Sequence, residues 1–379
     1  MPWKSKTPVD LRIELMNRMM RGEKIAQLCR EYGISRKTGD KFKQRFKRLG
    51  EAGLVDQSRA PVVIPHRTPP ELVELIVGER NRHPTWGPKK LKEVLESRLN
   101  RVMPAPSTIG DILVRAGLVL SRAKRRKFPP QPTTLREAHA PNDVWCIDYK
   151  GQFRLGDGSL CYPLTLTDQR SRFLLGCEAM PAISDAAARE ACEEIFHLYG
   201  LPKAIRSDNG VPFASQGIAN LTQLSAYWLR LGIELERIRP GHPEENGQHE
   251  RMHRTLKAET TRPARTNMLQ QQECFDSFQE EFNEDRPHEA LRMKRPAQVY
   301  KPSPRKLPAV LAEPQYPEHD DVVQVSRIGH VYFCGRNIYV SSALAFQYVG
   351  LREQTPGRWL LSFMKLDLGH LSTAGFAAL

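Results

Sequence analysis

The sequence predicts a multidomain α+β chain, with helical units at the N-terminus, a mixed sheet covered by helices in the middle and a small β-barrel-like domain at the C-terminus. Three observations predict it. Basic charge is concentrated in the first third: residues 1–127 hold 29 Lys and Arg against 13 Asp and Glu, a surplus of +16, while the remainder carries −2. Apolar residues recur with helical spacing as far as Leu113 and with strand spacing from Asn142 onward. Pro296, Pro302, Pro304, Pro308, Pro314 and Pro317 then form a linker composition before a last group of short strand patterns. A chain of 379 residues is long enough for two to four cores.

Leu11, Ile13, Leu15 and Met16 mark a first amphipathic stretch, and residues 25–32 a second. Gly33-Ile34-Ser35 follows, a turn ending in a serine that can cap the next helix. The basic run Arg36-Lys37-Thr38-Gly39-Asp40-Lys41-Phe42-Lys43 predicts that helix, starting near Ser35. This order is the grammar of a helix-turn-helix unit whose second helix enters the major groove. Arg36, Lys37 and Lys41 are its candidate DNA contacts. Gly39 counts against the helix by roughly 1 kcal/mol of propensity. A second helical unit is expected over Leu72–Leu113, turning at Pro84–Pro88 and capped at Pro106-Ser107. Lys124, Arg125 and Arg126 belong to a basic connector that can lie along a phosphate backbone.

From Asp143 the pattern reads as strands over 143–154, 162–167 and 173–180, an antiparallel meander. A helix over 185–199, a short strand over 203–206, a helix near 218–231 and a strand over 234–238 follow, and the chain is helical again after Asn246 and over 269–284. Strands followed by alternating strands and helices predict a mixed sheet covered by helices. Strand patterns over 322–325, 330–333, 337–340, 348–351 and 359–363 suit a small barrel. The expected division is 1–60, 61–121, 122–138, 139–300, 301–317 and 318–379.

Three carboxylates stand out. Asp148 lies in the apolar run Val144-Trp145-Cys146-Ile147-Asp148-Tyr149, where a buried charge needs a partner such as a cation. Asp208 follows the short strand in Arg206-Ser207-Asp208-Asn209-Gly210. Glu250 lies where a loop gives way to a basic helix, in Asn246-Gly247-Gln248-His249-Glu250-Arg251. Oxygen ligands of this kind suit hard divalent cations. The seven cysteines are odd in number and form no C-x-x-C pair, which argues against a zinc cluster or a disulfide framework. The chain shows neither an apolar run of membrane-spanning length nor a secretion-signal core, so a cytoplasmic location and no membrane partner are expected.

Val144-Trp145-x-x-Asp148, Ser207-Asp208-Asn209-Gly210-x-x-Phe213, Asn246-Gly247-x-x-Glu250-Arg251 and Asn283-x-x-Arg286-Pro287-His288-x-Ala290-Leu291 together resemble the transposases of bacterial insertion sequences that carry a retroviral-integrase-like core. The resemblance covers most of the chain. It implies a ribonuclease-H-like fold over 139–300, and Asp148, Asp208 and Glu250 as an Asp-Asp-Glu triad holding two magnesium ions, with manganese able to substitute. It further implies cutting and joining of double-stranded DNA, element ends and target alike, by a homo-oligomer on the DNA. One departure stands out: the family spacing of about 35 residues points to Glu244, whereas 41 residues separate Asp208 from Glu250. Glu250 is preferred because Asn246-Gly247 precedes it and because residues 214–227 can hold a six-residue insertion. Arg254 and Lys257 share a helical face with Glu250 and would present cations to phosphates.

Glu244 and Glu245 are expected to be solvated, and Glu259, Asp168 and His253 to lie on solvated faces or to make supporting contacts at most. The residues around Arg286 and His288 follow a motif whose role the sequence does not give; ending a helix before Pro287 is its plainest account. Two other functions fit the same features: a ribonuclease-H-like nuclease that hydrolyses without joining, and a non-catalytic DNA-binding regulator derived from a transposase. Three intact carboxylates count against the regulator.

Overall fold

The computed structural model describes residues 6–57, 67–119, 135–372 and 375–378, the side chains of residues 243 and 244 excepted. Lys124, Arg125, Arg126 and the side chain of Glu244 lie outside the described residues. The chain divides into two units, residues 1–68 and 69–379.

In the first unit Thr7 and Asp10 form a capping box at the start of α1 (Pro8–Met20). α2 (Ile25–Glu31) is followed by Gly33 at a left-handed φ of +63°. Ser35 then accepts from Thr38 N to open α3 (Arg36–Leu49). Leu15, Met16, Leu28, Phe42 and Leu54 form the core. Gly39 faces α2, and a Cβ there would lie 2.4 Å from Cys29 Sγ. The close approach of the two helices therefore requires the residue that helix propensity disfavours.

The second unit begins with α4 (Pro70–Arg82), α5 (Pro88–Leu99) and α6 (Pro106–Arg115), each with proline in its first turn. They close on Leu72, Ile76, Trp86, Leu91, Leu95 and Ile109. Glu79, buried among them, is matched by Arg98 at 2.7 Å and Arg82 at 3.4 Å.

The central sheet comprises β1 (Val144–Tyr149), β2 (Phe153–Arg154), β3 (Leu160–Asp168), β4 (Leu174–Met180), β5 (Ala204–Ser207) and β6 (Glu234–Arg237). β4, β3 and β1 are antiparallel neighbours; β5 and β6 extend the sheet in parallel from β1, and β2 pairs with the start of β3. The single strand expected over 143–154 is broken at Lys150–Gln152, where Gly151 has φ +69°. Alternate strand residues face opposite layers. Trp145, Ile147, Leu164 and Leu166 pack beneath α7 (Asp185–Tyr199) and α8 (Gln223–Arg230). Leu174 and Cys177 pack beneath α9 (Gly247–Thr260) and α10 (Met268–Glu280) with Met252, Leu256, Phe275 and Phe278. After α10 the chain makes one π-type turn, Glu281–Asp285, which ends ahead of Pro287.

A short α11 (Pro296–Val299) leads into the proline-rich stretch. That stretch is anchored along the sheet: Arg305 donates to Pro202 O at 2.6 Å, and Ser303 to Leu201 O at 2.7 Å. Beyond it lie β7 (Asp321–Gln324), β8 (His330–Phe333), β9 (Arg336–Tyr339), β10 (Tyr348–Thr355), β11 (Arg358–Phe363), β12 (Leu366–Ser372) and β13 (Gly375–Ala378). Their order is β13-β12-β11-β10-β7, and the β8-β9 hairpin touches both edge strands, so the sheet curls around one apolar core. β12 and β13 were not expected from the sequence. Among the described residues no helix is long and apolar enough to cross a membrane.

Candidate active site

β1 and β5 are parallel neighbours in which Cys146 pairs with Arg206. Carried two residues further, that register sets Asp148 opposite Asp208, the first residue past β5, on strands about 4.8 Å apart. The loop fixes Asp208: its Oδ1 accepts from Gly210 N at 3.1 Å, and a Cβ on Gly210 would press to 3.0 Å from Oδ2. Asn209 Nδ2 donates to Ile238 O at 2.6 Å and ties the loop to the end of β6. Glu250 comes from the first turn of α9. Burial pushes the Asp148 carboxyl up to about 7; the charges of Asp208 and Glu250 push the same way, against Lys150. Asp208 and Glu250 thus both act on Asp148 through their charge.

The two faces of α9 differ. Glu250, Arg254 and Lys257 are exposed, whereas His249, Met252, His253, Leu256 and Thr260 are buried. Thr165 pairs with Asp148 across the β1–β3 ladder. Its hydroxyl lies 2.8 Å from His249 Nε2 and 2.6 Å from His253 Nε2. Thr167 Oγ1 lies 2.7 Å from His249 Nδ1. His253 Nδ1 stands 3.6 Å from Asp148 Oδ2, beyond hydrogen-bond range. That proximity is not an ion pair, because burial drives both imidazoles well below the ordinary histidine value, His249 to about 3. Neutral rings cannot balance the carboxylates.

Asp148, His249 and His253 offer donor atoms within 4.8 Å of one another. Both nitrogens of His249 already meet threonine hydroxyls, so the ring braces α9 against β3. His253 Nδ1 stays open toward Asp148, and the charges of Asp208 and Glu250 act on the same carboxyl; carboxylates with one neutral imidazole can hold a divalent cation. Divalent cations fit the residues present.

One expectation needs correction: Glu245 is not solvated, its side chain being 3% exposed and meeting Arg239 Nε at 2.6 Å. For His253, Asp168 and Glu259 the structure has the supporting contacts and not the solvated faces: His253 is buried against Thr165, and Asp168 is buried with Oδ1 accepting from Ser171 and Oδ2 from Asn142 N. Glu259 is paired with Arg286 at 3.1 Å. Arg286 does more than end a helix: with Glu259 it holds Thr85 Oγ1, joining the α4–α6 helices to the sheet domain. His83 and Glu281, at 2.9 Å, add a second tie. The structural roles of His249, Thr165 and Thr167 were missed, although Thr165 and Thr167 share one face of β3 and His249 and His253 stand one helical turn apart. On α3, Arg36, Lys37 and Lys41 are all exposed.

The chain matches the integrase core domain family over residues 138–243 and again over 231–296. It matches a helix-turn-helix domain over 11–61 and a homeodomain-like domain over 38–113. It is 25% identical over 185 residues to the insertion element IS407 uncharacterized 31.7 kDa protein of Burkholderia multivorans, covering 48% of this chain and 64% of that one. To the insertion element IS476 uncharacterized 39.2 kDa protein of Xanthomonas euvesicatoria it is 25% identical over 249 residues, 65% of this chain and 69% of that one. It is 31% identical over 181 residues to the Gag-Pol polyprotein of baboon endogenous virus, covering 46% of this chain but only 10% of the polyprotein. Among solved structures, the HTLV-2 integrase catalytic core domain in complex with magnesium aligns at 15% identity and a TM-score of 0.35, covering 44% of this chain and 100% of that one. A simian T-cell lymphotropic virus intasome bound to a PP2A regulatory subunit aligns at 15% identity and a TM-score of 0.39, covering 80% of this chain and 99% of that one.

Proposed function

We propose that this chain, which carries an integrase core domain behind helix-turn-helix units, is a DNA transposase: a polynucleotidyl transferase that cuts at the ends of an insertion element and joins them to target DNA. The observation that supports this reading most is the shared electrostatics of Asp148, Asp208 and Glu250, with Asp148 lifted to about 7 by burial and by the two other carboxylates. Such a cluster is stable with all members ionised only when cations sit among them. Asp148, Asp208 and Glu250 would hold divalent ions, magnesium or manganese, whose Lewis acidity toward a phosphodiester is the chemistry they supply.

The chain's own residues do the rest. Thr165, His249 and His253 brace α9 against β3, which sets Glu250 relative to Asp148. Arg254 and Lys257 flank Glu250 on the exposed face and receive the phosphates of the bound strand. Arg36, Lys37 and Lys41 read and hold the duplex from α3, and the homo-oligomer forms on DNA as two ends are brought together. In cutting, water displaces a 3′-oxygen from phosphorus. In joining, that freed 3′-hydroxyl displaces another, so one phosphodiester replaces another and no nucleotide cofactor is consumed.

The test is a joining assay with purified full-length protein, duplexes carrying the repeats that flank the gene, and plasmid. Joined product should form with magnesium or manganese, whereas calcium should allow binding with little chemistry. Cutting without joining would reassign the chain as a nuclease, and joining at full rate in excess chelator would overturn the metal mechanism.

A further inference from the structure

On the sheet face that carries Asp148, a cavity of about 610 Å³ opens among the start of α5, α9 and the turn after α10, with Lys90, Arg172, Arg251, Arg286 and His288 in its wall. Arg254, to which the proposed reaction gives a strand phosphate, also lines it, but that reaction makes no use of Lys90, Arg172, Arg251 or His288. The cavity's positive charge is only partly compensated: Glu259 and Glu289 act on Lys90 and Asp168 on Arg172, but without an ion pair to either. Arg286 is matched by Glu259 at 3.1 Å, and Glu289 at the rim is taken by Lys89 at 2.7 Å. Asp168, also in the wall, has both oxygens engaged by Ser171 and Asn142. Among the described residues, no carboxylate lies within ion-pair distance of Lys90, Arg172 or Arg251.

Polar atoms in the wall are also left without partners. Arg172 Nε and His288 Nε2 are buried with no hydrogen-bond partner, as is Gln169 Oε1 on the neighbouring wall. A buried donor left without a partner is costly; Arg172 Nε is one, His288 Nε2 is a second in the tautomer that protonates it, and beside unpaired cations they describe a cradle for an anion. Burial lowers the Lys90 ammonium to about 8, with Arg286 pushing the same way, and Arg172 is lowered by burial and by Arg251. An anion would relieve both.

We propose that this cavity binds a phosphate group, and that its occupant is a phosphate of the DNA strand held at the carboxylates. Its position argues for the strand: Cys146 lines the cavity and shares one face of β1 with Asp148, two residues and about 7 Å along the strand. DNA covers that distance in about two base steps. Only the identity of the occupant rests on the transposase reading; the phosphate site itself does not.

The test measures binding rather than chemistry. Full-length wild type and a Lys90→Gln/Arg172→Gln variant are titrated with a short random duplex in excess chelator across a range of salt concentrations. In a second arm, melting temperature is compared in inorganic phosphate and in chloride at matched ionic strength. The variant should bind DNA about tenfold more weakly, with a log–log salt slope shallower by about one phosphate's share of 0.9 or more. That result supports the DNA strand as occupant, with or without stabilisation of the wild type by phosphate. Loss of phosphate stabilisation with unchanged DNA affinity would assign the cavity to free phosphate and overturn the strand. No change in either arm would overturn the site. Should the double variant melt early in chloride, Lys90→Glu, at the half-buried rim, gives the same two readings. Because nothing is cut or joined, failure of the joining assay leaves this result intact, and normal joining with unchanged binding removes the cavity alone.

Discussion

Two concentrations of like charge flank the start of α9, and they are built differently. The acidic one comprises Asp148, Asp208 and Glu250 from two strand ends and a helix; Lys150 acts on Asp148 and Arg237 on Asp208, and neither pairs with its carboxylate at ion-pair distance. The basic one gathers Lys90, Arg172 and Arg251 around a cavity where Glu289 and Glu259 are paired with other cations and Asp168 is hydrogen-bonded to Ser171 and Asn142. A fold that needed only stability would interleave these charges, because each is destabilising while alone. Under the function and the phosphate site proposed above, each side would be completed from outside, one by cations and the other by phosphate.

The comparison breaks first if the acidic side is not essential. Asp208→Asn should lower joining by about three orders of magnitude, on the scale of removing a principal electrostatic group from an active site, with duplex affinity in chelator unchanged. Next comes the brace behind it. His253→Gln should weaken magnesium or manganese binding by roughly 10- to 100-fold, the usual cost of losing a group that orients a ligand, read by metal titration of DNA-bound protein. An unchanged metal affinity would make His253 a packing residue only.

The same site carries a pH signature. Asp148 has a folded value of about 7 against an ordinary 3.8. Between those values the folded state favours its proton and the unfolded state does not, so without metal the ionised group destabilises the fold increasingly as pH rises from about 4 to about 7. Asp148→Asn should therefore melt a few degrees above wild type at pH 8 in chelator. The gap should close below pH 4. With magnesium present the order should reverse, since the wild type alone gains from the ion.

The smallest effect concerns α3, far simpler than either cluster. Arg36→Ala should weaken binding to element ends more than to random duplex. Lys47→Ala should weaken both equally and flatten the salt slope by about one phosphate. If neither changes end binding, the first helical unit is not the reader.

What could be read from the sequence was what depends on neighbours along the chain. Ser35 capping α3, the 185–199 helix and the turn glycine beside Asp208 all announce themselves within a few residues. What could not be read depends on distant partners. Gly39 looked like a weakness because Cys29, the atom it makes room for, sits on another helix. Arg286 looked idle because Glu259 and Thr85 lie 27 and 201 residues away. For His253 the sequence leaves open a solvated face or a supporting contact, and only the packing of α9 on Thr165 decides for the second. In β12 and β13 the apolar residues Leu366, Leu368, Leu371 and Phe376 are interrupted by Gly369 and Gly375 and keep no regular alternation, so the strands show only once the curled sheet packs them.

The central claim is that the helix opening α9, and not the loop before it, delivers the third carboxylate. The measurement is joining with magnesium by Glu250→Gln and Glu244→Gln, each exchanging a carboxylate for an amide of the same size, with duplex binding in chelator as the control. The account predicts that Glu250→Gln loses joining while binding DNA as before, and that Glu244→Gln joins at nearly the wild-type rate. Full activity in Glu250→Gln with loss in Glu244→Gln would contradict it.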